Sequence, residues 1–115
     1  MLTPFERGLT ANLIADWVLQ NDWMARNKVS LRHPAAWVHG GIHALLLGLA
    51  LGWQAGLVLA LIHMLVDTRR PATLWGRFFR QTSEGQMGLI VRVGLDQVLH
   101  IAAIAIWVEV VARFA

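Results

Sequence analysis

Pro34-Ala-Ala-Trp37-Val-His39-Gly-Gly-Ile-His43-Ala-Leu-Leu-Leu-Gly48-Leu-Ala-Leu-Gly52-Trp53-Gln54-Ala55-Gly56-Leu-Val-Leu-Ala-Leu-Ile-His63-Met-Leu-Val-Asp67 is the stretch on which the fold turns. Two apolar runs, about 35–52 and 54–66, flank a turn whose glycines permit a tight reversal, so a helical hairpin is expected. His39 and His43 then fall in the first turns of one helix, and His63 and Asp67 in the last turns of the other. They meet at one depth. Residues four apart on a helix share a face, so each pair directs its donor atoms to one place.

Two further segments extend the pattern. The first, about 4–24, carries Asn12, Asp16 and Gln20 along one face, with Leu13, Trp17 and Val18 among its apolar residues. The last, about 87–114, is long enough to cross a bilayer and holds Asp96 and His100, again four apart, with Arg92 near its start. Between the hairpin and this last segment, Arg69, Arg70, Arg77 and Arg80 surround Trp75, Phe78 and Phe79, the composition of a short amphipathic helix lying on a membrane surface. The expectation is an all-α integral membrane four-helix bundle with a short amphipathic surface helix before the last span, a single multi-pass domain over 1–115. The third segment is short for a span unless Trp53 and the 67–69 end lie at opposite interfaces.

Composition points the same way. Hydrophobic residues make up 57% and charged residues 15% of the 115 residues, whereas roughly a quarter of an ordinary soluble domain is charged. A soluble fold of this size buries only about two thirds of its surface and would leave much of this apolar content exposed. There is no cysteine, which excludes disulfides, thiolate ligands and thiol nucleophiles. The N-terminal residues lack a basic stretch followed by an apolar region, so no cleaved signal peptide is expected.

Charge sets an expected orientation. Arg26, Lys28 and Arg32 lie in one loop and the four arginines near Trp75 in another, while the loop at Gly52 has no cation and the ends contribute Arg7 and Arg113. The positive-inside rule places loops 25–34 and 68–86 in the cytoplasm of a bacterial inner-membrane protein, with both termini opposite. The net charge of +3 then reflects basic loops facing an anionic leaflet rather than a nucleic-acid partner.

That topology gathers the polar residues of all four segments at one leaflet. Ionisable groups inside a membrane mark ligand or proton sites by default. Taken singly, each of these residues reads as polar glue between helices, worth about 1 kcal/mol. Three matched pairs of His and Asp read instead as a metal site: His39, His43, His63, Asp67, Asp96 and His100 as ligands, the N/O set of zinc first, with iron or manganese as alternatives. Asp16 and Asp96 are the candidate catalytic carboxylates, and Gln20, Arg92 and Gln97 the supporting or substrate-contacting residues. An ion with an open position supports hydrolysis of a membrane-associated substrate, and Arg92 suits an anionic lipid or lipid-linked phosphate. The competing readings are a proton- or ion-translocating component, or a structural or regulatory subunit without catalysis. Asn21, Asp22 and His33 read as solvated or helix-capping. Gly40, Ala44, Gly48 and Gly52 form a small-residue stripe for close helix approach, within the bundle or between copies in a homo-oligomer.

The ordered motifs, from Asn12-Leu-Ile-Ala-Asp16 and Gln20 through Lys28, then His39-Gly-Gly-Ile-His43, His63-Met-Leu-Val-Asp67 and Asp96-Gln97-Val-Leu-His100, resemble an uncharacterised bacterial and phage membrane family, domain-of-unknown-function family 3307. The resemblance covers nearly the whole chain. It implies a histidine where this chain has Asn12, four residues before Asp16, so a fourth ligand pair is reduced here. The motif style is similar to that of small membrane-bound metal-dependent hydrolases, an analogy that supports the metal reading.

Overall fold

The computed structural model describes residues 1–114. Thr3 opens the first helix with a capping box: its side chain accepts from the Glu6 N–H, and the Glu6 carboxylate accepts from the Thr3 N–H, a backbone hydrogen bond that holds the Glu6 carboxyl below the usual carboxylate range. This helix, α1 (Pro4–Leu13), runs into a single π-helical turn, Ile14–Val18, in which the Leu19 N–H donates to the Ile14 carbonyl at 3.0 Å. The chain then breaks. Asn21 caps a separate short helix, α2 (Asp22–Asn27), accepting from the Met24 N–H.

His33 caps α3 (Pro34–Leu51) through Nδ1, which accepts from the Ala35 N–H at 3.0 Å, and Pro34 supplies a first helical residue that needs no hydrogen-bond partner. Gly52, at φ 104°, reverses the chain into α4 (Trp53–Asp67). The α3–α4 hairpin is the most extensive helix pair. Gly56 allows it: a Cβ there would stand 2.5 Å from the Ala44 carbonyl oxygen and 2.9 Å from Gly48 Cα. Arg69 turns the chain in the left-handed region before α5 (Arg70–Phe78), and α6 (Gly85–Phe114) returns along α4 and α1.

The expectation of a four-helix membrane bundle is overturned. Among the described residues there are six α-helices, of which only α3 and α6 are long and apolar enough to cross a membrane. Two physical causes account for the difference. The first drawn segment is interrupted by the π turn and by the non-helical residues before the Asn21 cap, so no continuous helix spans 4–24. At 15 residues, or about 22 Å at 1.5 Å per residue, α4 falls short of a hydrocarbon core about 30 Å thick. The segment drawn as one surface helix resolves into α5 and a non-helical stretch before Gly85.

Inside, each element contributes one buried stripe at helical spacing. Gly8, Asn12 and Asp16 line it on the first element, His39, His43 and Leu47 on α3, Leu59, His63 and Asp67 on α4, and His100 and Ile104 on α6. At the Gly52 end the stripes are apolar, and Ala11, Leu47, Ala55, Leu59 and Ile104 form the core with Phe5, Leu51 and Trp107 packed against it. Gly8 lets α1 into that core, since a Cβ there would meet Ile104 at 2.8 Å and Leu51 at 2.9 Å. Arg7 pins the same end, donating from Nε to the Ala50 carbonyl at 3.1 Å. At the other end of the hairpin the four stripes turn polar.

Candidate metal centre

Asp16, His39, His43, His63, Asp67 and His100 meet where the four stripes turn polar, each at most 8% exposed. Two i, i+4 turns present the hairpin residues, the π turn carries Asp16 inward, and α6 brings His100. The ε nitrogens of His39 and His43 lie 3.1 and 2.9 Å from Asp16 Oδ1, and that of His63 lies 3.9 Å from it. His63 Nε2 is also 2.8 Å from Asp67 Oδ2, and His39 Nε2 is 3.6 Å from the same oxygen. His100 Nε2 is 3.6 Å from Asp67 Oδ1. The rings of His43 and His63 are stacked with centroids 3.5 Å apart.

These spacings admit ions as well as hydrogen bonds. Ligand atoms held about 2.1 Å from a tetrahedral zinc ion stand roughly 3.4 Å from one another, and the separations here run from 2.8 to 3.9 Å. Several donors lack any other partner: both oxygens of Asp67, Oδ2 of Asp16 and Nε2 of His63 and His100 are buried and make no hydrogen bond, the 2.8 Å approach of His63 to Asp67 included. Leaving such groups buried and unpaired is costly. Asp16, His39, His43 and His63 form one group of donors within 4.8 Å of one another, and His63, Asp67 and His100 form a second. A His/Asp cluster capable of holding a divalent metal ion is therefore present.

At Asp16 burial pushes the carboxyl pKa up, but hydrogen bonds from the His39 and His43 rings outweigh it and hold the group well below the usual carboxylate range. Each of those bonds places a proton on Nε2, the atom a metal would need, so loading an ion requires that proton to shift to the unpartnered Nδ1 or to leave.

The remaining sequence candidates surround the cluster. Asp96 Oδ2 is 3.5 Å from His100 Nδ1, on the ring face away from Asp67, and its side chain is 22% exposed. Asp96, Gln20, Arg92 and Gln97 line a cavity of about 240 Å³ that reaches Asp16 and Asp67. Gln20 Nε2 donates to the Asp16 carbonyl at 3.3 Å, and Arg92 Nη1 donates to the Ser83 carbonyl at 2.9 Å. Asn12 is buried one turn before Asp16 with its Nδ2 unpartnered. Lys28 went unseen as a site residue: its Nζ stands 3.7 Å from Asp67 Oδ1, and with Arg69 it also lines the cavity. Loop cations of this kind carry no local signal, because their approach depends on how the α2–α3 connection folds back.

The model of a family described as a protein of unknown function, DUF3307, matches residues 5–114. The chain belongs to the DUF3307 family. No curated protein and no solved structure matches it. Every DUF3307 residue in the cluster lies inside the matched region.

Proposed function

We propose that this chain is a membrane-embedded, metal-dependent hydrolase whose substrate carries an anionic group such as phosphate. The observation that carries the proposal is the buried convergence of unpartnered imidazole nitrogens and carboxylate oxygens beside a cavity lined by Lys28, Arg69 and Arg92. His39, His43, His63 and His100 with Asp16 and Asp67 would hold the metal, and zinc fits this N/O set best. A bound divalent ion supplies Lewis acidity, polarising a carbonyl or phosphoryl oxygen and making water a better nucleophile.

The chain's own residues supply the rest. Asp96, partly open to the cavity and with Oδ2 3.5 Å from His100 Nδ1, is placed to take a proton from water. Lys28, Arg69 and Arg92 attract an anion to the cavity, and Gln20 and Gln97 offer amide groups that fix its orientation. A through-path for ions is less well supported: beyond the cluster lies the apolar core of Ala11, Leu47, Leu59 and Ile104, which closes the helix interior toward Gly52.

In the membrane, α3 and α6 cross, and α4, too short to span by itself but packed along α3, carries the chain back, so that the basic segments 25–34 and 68–86 share the cytoplasmic face, the side to which the cluster's cavity belongs, with the apolar exposed faces of α6 against lipid. The test is elemental analysis of detergent-purified protein never exposed to a metal-charged column, beside His63→Ala. Bound metal in the parent and its loss from a folded variant are expected. A parent that neither carries nor takes up zinc, iron or manganese removes the hydrolase reading.

A further inference from the structure

We infer that the cluster is built for two ions, one held by Asp16, His39 and His43 and the other by His63, Asp67 and His100, an inference that rests on the metal-site reading above. A single ion uses four protein donors at most in a closed site and three in a catalytic one, whereas six buried residues converge here. They do not form one set. Donor atoms mutually within 4.8 Å fall into two groups that overlap only at His63. One Nε2 bonds one ion, so His63 belongs to one set at a time.

Asp67 is the residue able to join them. Its Oδ2 faces His63 and His39 at 2.8 and 3.6 Å, and its Oδ1 faces His100 at 3.6 Å, so the two oxygens look toward different halves of the cluster. Assigning His63 to the Asp67–His100 half gives two sets of three residues, the ligand number that leaves coordination positions free.

Hydrogen bonding separates the halves in the same way. Asp16 Oδ1 accepts from both His39 and His43, so that half has an internal arrangement without metal. In the other half Nε2 of His63 and His100 and both oxygens of Asp67 have no hydrogen-bond partner, and Lys28 is the one cation within 4 Å of Asp67 among the described residues apart from histidines. An ion in the first half would leave this second set of donors buried and unpaired. Each half also carries one buried carboxylate, Asp16 in the first and Asp67 in the second, with Asp96 adjoining the second through His100.

The experiment is metal stoichiometry on the detergent-solubilised full chain, stripped with chelator and titrated with Zn²⁺, repeated with Co²⁺ to read coordination from its visible spectrum and coupling between ions from its electron paramagnetic resonance. Two ions per chain are expected, with an exchange-coupled signal for the cobalt pair, and one uncoupled ion in each of His43→Ala and His100→Ala. Circular dichroism establishes that the variants keep their helix content. One ion per chain in the unsubstituted protein, or a cobalt pair with no coupling, overturns the two-ion inference while leaving the metal-site reading intact. No uptake at all overturns both, and the unsubstituted protein alone decides between these outcomes.

Discussion

Asp67 carries the heaviest electrostatic load of any single residue: buried, without a hydrogen bond to either oxygen, and facing His39, His63, His100 and Lys28. Asp67→Asn keeps the shape and removes the charge, so zinc affinity should fall by ~100-fold or more, beyond the 10–100-fold typical of lost outer-shell partners; competition against a chromogenic chelator measures it. Asp96 stands one step out, touching His100 Nδ1 only. Asp96→Asn should therefore keep most of the bound metal and lose most of the activity, a split between two readouts that a ligand would not give. Protons compete for the same imidazole nitrogens. Zinc affinity should therefore weaken as pH falls and protons occupy those nitrogens. Zinc titrations at three pH values check the sign.

The element that makes the cluster possible is the α3–α4 hairpin, and its weakest tolerance is at Gly56, whose missing Cβ is replaced by the Ala44 carbonyl and the Gly48 backbone. Backbone cannot step aside as a side chain can. Gly56→Ala should push the helices apart and destabilise the fold by about 1–3 kcal/mol, whereas Gly41→Ala, with nothing within 4 Å, should be neutral or stabilise slightly; paired thermal melts in one detergent measure both. This hairpin was legible in the sequence because two apolar runs around Gly52 allow one pairing, which sets His39, His43, His63 and Asp67 at a common depth. The first segment was not legible. Ile14–Val18 has the composition of ordinary helix, and the π turn that carries Asp16 toward the histidines and ends the helix packs against α3, a tertiary contact that local composition does not signal. Lys28 escaped for the same reason, since nothing in a solvated-looking loop signals its approach to Asp67. Helices apolar enough to cross a membrane were legible from composition, but their number was overdrawn because apolar content does not lengthen the 15-residue α4.

At the scale of the whole molecule, the structure is polarised along its length, with an apolar core toward Gly52 and the charged cluster and its cavity at the opposite end of the hairpin. Lys28, Arg69 and Arg92 stand at the cavity end, and the other arginines of 68–86 extend the same basic surface. Together they would bring anionic headgroups to the mouth of the site if that end faces the cytoplasmic leaflet, where each nearby cation contributes about 1 kcal/mol of attraction. Orientation is open to direct measurement because the chain has no cysteine, so a single introduced thiol reports one position without background. Thr82→Cys, in the exposed stretch between α5 and α6, should be labelled by a membrane-impermeant maleimide only after the cytoplasmic face is opened. Gln54→Cys, exposed beside the Gly52 turn, should be labelled from the outside of intact spheroplasts. At 18 residues, α3 measures about 27 Å, close to the thickness of a thin hydrocarbon core, so its far end reaches water only if the helix stands nearly upright. Labelling of both thiols from the cytoplasmic side alone would mean that the hairpin enters and leaves by one face, and would confine the crossing to α6.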